Sequence, residues 1–259
     1  MEGSSAKTKK TDNRMLIMKI IVVLLCLVLA FEVILYLFIV PCLAPVKIVI
    51  TGTKDVATMS RLLEPIKHKP WIRFDADKAA SILSVLPSVE LVSIEKRFPD
   101  HVFVRIQERS AVAMTFVIVD NRTIPVNISE DGILFPVSSS YAQTDGSIPL
   151  VTGLPIERVN NVTRLPKNYC ELMAQISSIR TLPVRYLNAI SEIHVVPKEF
   201  GSYELILYPV HSKSRVLTDR TLDEITLRQM MVMLDVVNSI EPNVTEIDLR
   251  YGSVSYRTK

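Results

Sequence analysis

One long apolar segment near the N-terminus limits what this chain can fold into. From Leu16 to Val40 the only charged residues are Lys19 and Glu32, and the 21 residues from Ile20 to Val40 are interrupted by Glu32 alone. An α-helix rises about 1.5 Å per residue, so this stretch covers roughly 30 Å, the hydrocarbon thickness of a bilayer. A cleaved signal peptide would have a shorter apolar core and a small-residue cleavage site. The segment therefore predicts an uncleaved transmembrane helix at residues 16–40.

The charges around this segment predict its orientation, because basic residues are retained on the cytoplasmic side. Residues 1–15 are then a cytoplasmic tail, and everything after Val40 lies outside the cytoplasmic membrane, as in a type II single-pass protein. The basic residues are Lys7, Lys9, Lys10, Arg14 and Lys19, against Glu2 and Asp12.

Glu32 is the unusual residue of the span. A carboxylate in hydrocarbon costs several kcal/mol unless it is protonated, paired or turned towards another helix. Two interpretations stay open: Glu32 contacts the helix of a partner, or it reaches polar groups at the outer surface, eight residues before Val40.

Composition excludes several function classes. The net charge of +3 is spread along the 259 residues, so it gives no basis for a nucleic-acid partner. Cys26 lies inside the span and Cys42 at its outer end, so these two and Cys170 build no internal disulfide framework.

The sequence shows no pattern of an enzyme. The histidines, at positions 68, 101, 194 and 211, have no metal-ligand spacing. With only seven glycines, the chain also has no nucleophile elbow and no phosphate-binding loop. We predict no catalytic residue, metal or cofactor, although carboxylates are plentiful and any pair could meet in space.

Residues 45–110 have the pattern of a small α+β domain. A short strand at 46–50 precedes a helix at 56–66, and a second helix, capped by Asp75 or Asp77, is stopped by Pro87. Strands at 89–97 and 102–106 follow, joined by a tight turn. The order predicts a three-stranded sheet with two helices, a POTRA-like domain.

Residues 111–259 predict an elongated, mostly antiparallel β domain with two helices. One helix spans roughly residues 167–180, and the other, at 221–238, has the pattern of a capping box in Thr221 and Glu224. The chain closes with strands at 244–251 and 254–257, separated by two residues. The other predicted strands are 112–119, 123–127, 133–136, 190–196, 203–208 and 215–218.

The run LPSVELVSIEKRFPDHVFVRIQERSAVA, Leu86 to Ala113, carries a family resemblance. A proline and a valine open a strand, a basic residue precedes an aromatic-proline turn, and the next strand ends in Glu-Arg, followed by Val-Ala. In this pattern the chain resembles the FtsQ/DivIB family of bacterial cell-division proteins, at the end of their POTRA domain. The chain departs from the pattern at Ala111, where many members carry proline. The matching residues are Pro87, Val89, Arg97, Phe98, Pro99, Glu108, Arg109, Val112 and Ala113.

Three further motifs agree with that family: SEDGILFP at 129–136, IPLVTGL at 148–154 and IDLRYG at 247–252. The resemblance implies a scaffold of the division septum in the bacterial inner membrane, with periplasmic domains. Its partners would be small single-pass proteins of the FtsB/DivIC and FtsL types, through which it recruits and regulates septal wall synthesis. The implied contact follows Asp248 and Leu249 and comprises Arg250, Tyr251, Gly252, Ser253, Val254 and Tyr256.

Physical chemistry makes such a contact plausible without the family. A C-terminal strand at a sheet edge has unpaired backbone N–H and C=O groups, to which an extended segment can add as a further strand. The alternative for Tyr251 is a half-buried strand aromatic that binds nothing.

A eukaryotic type II membrane glycoprotein acting as a binding module is the alternative assignment. It is favoured by acceptor sequons at Asn121, Asn127, Asn161 and Asn243. Asn127 is expected at a turn and Asn243 before a strand, so that both would be exposed.

Overall fold

The computed structural model describes residues 5–40, 44–137, 148–160, 162–241 and 243–258. The chain forms two compact units, residues 1–85 with 91–107 and residues 86–90 with 108–259. The fold is mixed α+β, with one N-terminal apolar helix, a small three-stranded sheet with helices, and a larger β-rich part. This confirms the fold class that the sequence predicts.

The apolar segment is a continuous helix. Helix α1 spans Ser5–Ile34 and continues into a π-helical turn at Leu35–Ile39. Within it, Met15–Leu37 is long and apolar enough to cross a membrane. Glu32 is exposed and makes no hydrogen bond or ion pair that the structure shows within the described part of the chain. Both interpretations of Glu32, a contact with a partner helix and a contact with polar groups at the outer surface, stay predictions.

The small sheet of the first unit has the strand order β1-β3-β2, with β1 at Lys47–Thr51, β2 at Val89–Arg97 and β3 at His101–Glu108. Strands β1 and β3 are parallel, with Lys47 opposite His101. Strands β2 and β3 must run antiparallel, because the three-residue turn between them is too short for a parallel crossover.

Two helices complete this unit, α2 at Val56–Lys67 and α3 at Ala76–Ser84. Asp75, one of the two predicted caps, accepts a hydrogen bond from the backbone N–H of Lys78 at 3.0 Å. Aliphatic side chains of both helices and of β3 are almost fully buried, and they follow the predicted helical and alternating spacing. They are Met59, Leu63, Ile66, Ala79, Leu83, Val102, Val104 and Ile106.

The second unit contains a nine-stranded sheet in the order β14-β13-β12-β11-β10-β7-β4-β5-β6. Five of its eight strand pairs are antiparallel. A two-stranded hairpin of β8 (Glu157–Val159) and β9 (Val162–Arg164) accompanies it. The strands of the large sheet are β4 Ala113–Val119, β5 Arg122–Ile128, β6 Leu134–Pro136, β7 Leu150–Thr152, β10 Ile190–Pro197, β11 Tyr203–Pro209, β12 Arg215–Thr218, β13 Val244–Asp248 and β14 Ser255–Thr258.

The helices of this unit are α4 at Cys170–Ile179, the short α5 at Val184–Leu187, and α6 at Glu224–Ile240. Alternate residues of the central strands and the inner faces of α4 and α6 share one core. Its members include Met173, Ile176, Ile193, Val195, Leu205, Leu207, Val216, Leu227, Met230 and Ile247.

Two sequence predictions for this unit are wrong, and one strand of its sheet was missed. Helix α6 is capped by Asp223, which accepts from the N–H of Thr226 at 2.8 Å, so the predicted capping box of Thr221 and Glu224 does not form. The connection between β13 and β14 has six residues instead of two. Strand β7 was not predicted, because three residues are too few to show a period of two.

Asn127 was expected at an exposed turn, but it lies inside β5 with 4% of its surface exposed. A buried asparagine cannot carry a glycan in the folded protein, and this weakens the glycoprotein assignment. Asn121 and Asn243 are exposed, and Asn161 is outside the described residues.

Candidate partner-binding edge

Strand β14 forms one edge of the large sheet. It pairs with β13 on one side, and no described strand pairs with its other side. All four of its residues, Ser255–Thr258, are exposed. At the opposite edge, beside β6, Ile133 forms a β-bridge with Arg164 next to the β8–β9 hairpin. The β14 edge therefore offers the backbone groups that an added strand requires.

An irregularity in the pairing of β13 with β14 determines which side chains near this edge face the core. The register between β13 and β14 shifts between Val244 and Glu246. Because of the extra residue, Val244 and Ile247 are both buried although they are three positions apart. Tyr256 lies opposite Ile247 and is 53% exposed, so an apolar ring borders the core at the free edge.

The loop Leu249–Val254 joins the two strands and is fixed by Arg250. The carboxylate of Asp248 accepts from Nε of Arg250 at 2.9 Å, from Nη2 at 2.5 Å and from the backbone N–H at 3.0 Å. Nη1 donates to Glu204 of β11 at 2.7 Å. Lys198 contacts the same carboxylate oxygen at 3.1 Å, so the network joins β11, β13 and the turn before β11.

These contacts shift the pKa values of the groups involved. Hydrogen bonds from Arg250 hold the pKa of Asp248 below its ordinary value, although partial burial opposes this. Burial also opposes ionisation of Glu204, but the bonds from Lys198 and Arg250 leave its pKa lowered. The two carboxylates in turn raise the pKa of Arg250. All three side chains are therefore charged across the ordinary pH range.

The predicted contact residues follow one another in the chain, but they differ in how much of each side chain is exposed. Tyr251, Gly252 and Ser253 are exposed, with Tyr251 at 75%, and Val254 and Tyr256 are about half exposed. The side chain of Arg250 is only 20% exposed. The backbone of Gly252 has φ +70°, a left-handed conformation that glycine adopts without strain.

Sequence reasoning missed Glu204 and Lys198, which lie about fifty residues before Arg250 and follow no motif. It also missed Phe200, a fully exposed aromatic residue with φ +57° in the turn between β10 and β11. Strand β12 is parallel to β13 and antiparallel to β11, so this turn and the loop Leu249–Val254 lie at the same end of the sheet.

Comparison with known proteins identifies the small domain of the first part of the chain. Residues 46–109 match the family model of the POTRA domain, FtsQ-type. The chain carries an FtsQ-type POTRA domain. The match confirms the resemblance to the FtsQ/DivIB family read from Leu86–Ala113, and it associates the chain with bacterial cell division.

A solved structure is also similar to this chain: the major extracytoplasmic domain of the trans isomer of the bacterial cell division protein DivIB from Geobacillus stearothermophilus. The two share 17% identity over 52% of this chain and 98% of that chain, with a TM-score of 0.29. At that score the likeness carries no argument about β14. No curated protein matches the chain.

In the part of the chain that the structure describes, one helix is long and apolar enough to cross a membrane, and together with the FtsQ-type POTRA domain it indicates a single-pass membrane protein. Within the described residues, no three histidine, cysteine, aspartate or glutamate side chains are grouped as a metal site would require.

Proposed function

We propose that this chain is a membrane-anchored scaffold of the bacterial division complex whose β14 edge binds an extended segment of another division protein. The partners are small single-pass proteins of the FtsB/DivIC and FtsL types. The N-terminus lies in the cytoplasm, both domains lie in the periplasm, and the protein acts at the septum, where it helps to recruit and regulate wall synthesis.

The observation that carries this proposal is the position of β14 at an open edge of the sheet. A partner strand laid beside Ser255–Thr258 gains main-chain hydrogen bonds, and side chains at the edge supply selectivity. Tyr251, Val254 and Tyr256 are the apolar groups that it would contact, and Gly252 and Ser253 leave its path free of bulky side chains.

The domain assignment follows the same proposal. Residues 16–40 anchor the chain, residues 45–110 are the POTRA domain and residues 111–259 are the partner-binding domain. The FtsQ-type match at residues 46–109 and the helix at Met15–Leu37 support the first two parts.

Tyr251→Glu is expected to weaken capture of the extracytoplasmic segment of the FtsB/DivIC-type protein from the same genome. Loss of an exposed aromatic contact costs about 2 kcal/mol at an interface hot spot, or roughly thirtyfold in Kd, and a buried carboxylate adds to that loss. Calorimetry with the full-length chain in nanodiscs measures the change, and fluorescence microscopy reports septal localisation.

Phe116→Glu is the matched control, because Phe116 is a half-exposed aromatic on β4, six positions from β14 in the sheet. It should leave Kd within about twofold. Equal affinity of Tyr251→Glu and the unchanged chain would remove this loop from the proposed binding site.

A further inference from the structure

Arg250 has an unusual environment for a residue in an exposed loop. All three nitrogens of its guanidinium group are bonded to carboxylates, two to Asp248 and one to Glu204. The guanidinium carbon also lies 5.2 Å from the centroid of the Tyr251 ring, within the range of a cation–π contact. An incoming partner therefore meets the Tyr251 side of the loop, while the charge of Arg250 is already compensated.

We propose that Arg250 is a positioning residue for the edge: through Asp248 and Glu204 it fixes the loop that presents Tyr251. This inference rests on the proposed function of β14. It assigns the selectivity of the edge to Tyr251 and its neighbours, and the shape of the edge to Arg250.

The loop has little else to hold it. Tyr251, Gly252 and Ser253 are exposed, and a side chain added at Gly252 would meet nothing within 4 Å. Leu249 contributes one backbone bond, from its N–H to the carbonyl of Leu217 at 2.9 Å. A loop with so few contacts opens locally at low cost unless a specific interaction closes it.

The geometry also predicts that lysine would replace Arg250 only in part. A planar guanidinium can bond both oxygens of Asp248 while its remaining nitrogen reaches Glu204, across β12. An ammonium group is a single point of charge and can maintain only part of this arrangement.

The free protein provides the first test, without any partner. In full-length chain in nanodiscs, Arg250→Gln is expected to accelerate amide hydrogen exchange by about tenfold or more at Leu249 and Arg250, the loop residues whose N–H groups are hydrogen-bonded. This is the loss expected when charge-assisted bonds are broken. Exchange in Arg250→Lys should be faster than in the unchanged chain and slower than in Arg250→Gln. Unchanged exchange in Arg250→Gln would overturn the proposal.

Arg215→Gln is the matched control for this test. Arg215 also bonds a carboxylate, Glu246, at 2.8 and 2.5 Å, but it lies on β12 and is exposed on the same sheet. Its replacement should leave the exchange of residues 249–254 unchanged.

A double-mutant cycle separates positioning from direct binding. The probe is the extracytoplasmic segment of the FtsB/DivIC-type protein, and the variants are Arg250→Gln, Asp248→Asn with Glu204→Gln, and all three together. If Arg250 acts by positioning the loop, Arg250→Gln and the two carboxylate substitutions should each raise the Kd about tenfold. All three substitutions together should then raise the Kd by no more than either change does alone. If the carboxylate variants bind normally while Arg250→Gln does not, Arg250 contacts the partner and the proposal is wrong.

The pH dependence of hydrogen exchange in the loop distinguishes loss of the Arg250 network from a general loss of stability. The lowered pKa of Asp248 means that its stabilising charge is complete above the unfolded value, near pH 4, and is lost as the pH falls through the lower folded value. Loop protection should persist to about pH 4 in the unchanged chain. Asp248→Asn should reduce this dependence, and Asp248→Asn with Glu204→Gln should remove it, because the pKa of Glu204 is lowered by Lys198 and Arg250 as well. Fast exchange in Arg250→Gln with normal partner binding would leave the loop assignment intact and contradict the proposed function alone.

Discussion

Proline at one of two neighbouring positions of β14 is expected to weaken partner binding about a hundredfold without lowering the Tm. Along an edge strand, successive N–H groups point alternately towards the sheet and away from it. Of Arg257→Pro and Thr258→Pro, one therefore removes an outward donor and the other breaks a bond to β13. The outward replacement costs the added strand a hydrogen bond and introduces a clash, about 3 kcal/mol or a hundredfold in Kd.

The inward replacement should lower both the Tm and the affinity, so the pair of variants provides its own reference. Arg257→Ala and Thr258→Ala remove the same side chains but keep both N–H groups, and they should bind within about threefold of the unchanged chain. Calorimetry of binding and thermal unfolding by circular dichroism measure the two quantities. Binding retained by both proline variants would exclude strand addition at β14. Truncation after Arg250 removes the whole strand and should abolish capture of the partner.

Gly52→Ala is expected to destabilise the FtsQ-type POTRA domain strongly. Gly52 has φ +87°, and a methyl group there would lie 2.1 Å from the carbonyl oxygen of Ile106. Backbone strain and displacement of β3 together cost about 3 kcal/mol or more. A domain of this size has a free energy of unfolding on the order of 5 kcal/mol, so most of its stability is lost. Hydrogen exchange of the Val102 and Val104 amides measures the loss.

Gly252→Ala separates strain from crowding. Gly252 has φ +70°, but the added methyl group meets nothing within 4 Å, so only the conformational cost of about 1 kcal/mol applies. If Gly52→Ala and Gly252→Ala lowered stability equally, the close approach of Gly52 to Ile106 would have no energetic weight.

Local sequence patterns predicted most of the POTRA domain because its elements are regular and amphipathic. The spacing of Ala79 and Leu83 gives one buried helix face, and the alternation of Val102, Val104 and Ile106 gives one buried strand face. Strand β2 was predicted at the residues where it is found, between Pro87 and the turn at Phe98.

The candidate site was predictable only in part. Its place in the last strands was implied by the family resemblance, whereas the network around Arg250 joins residues 46 positions apart and leaves no periodic trace. Strand β13 ends at Asp248, three residues earlier than the sequence predicted, and this end also depends on the contacts of Arg250. The alternation of Ile247, Leu249 and Tyr251 continues in the sequence, but Asp248 binds the backbone and side chain of Arg250 and turns the chain out of the sheet.

Strand β14 is only four residues long, so an added strand gains few main-chain bonds, each worth about 1 kcal/mol net. The helix at Met15–Leu37 changes what such a short edge can achieve, because it confines the chain to the plane of a bilayer. Two proteins anchored in one bilayer are confined to the layer next to its surface, so they meet at a higher effective concentration than the same domains free in solution. If β14 binds its partner as proposed, this confinement strengthens a contact that would be weak in dilute solution, and the contact is lost when either protein leaves the lipid.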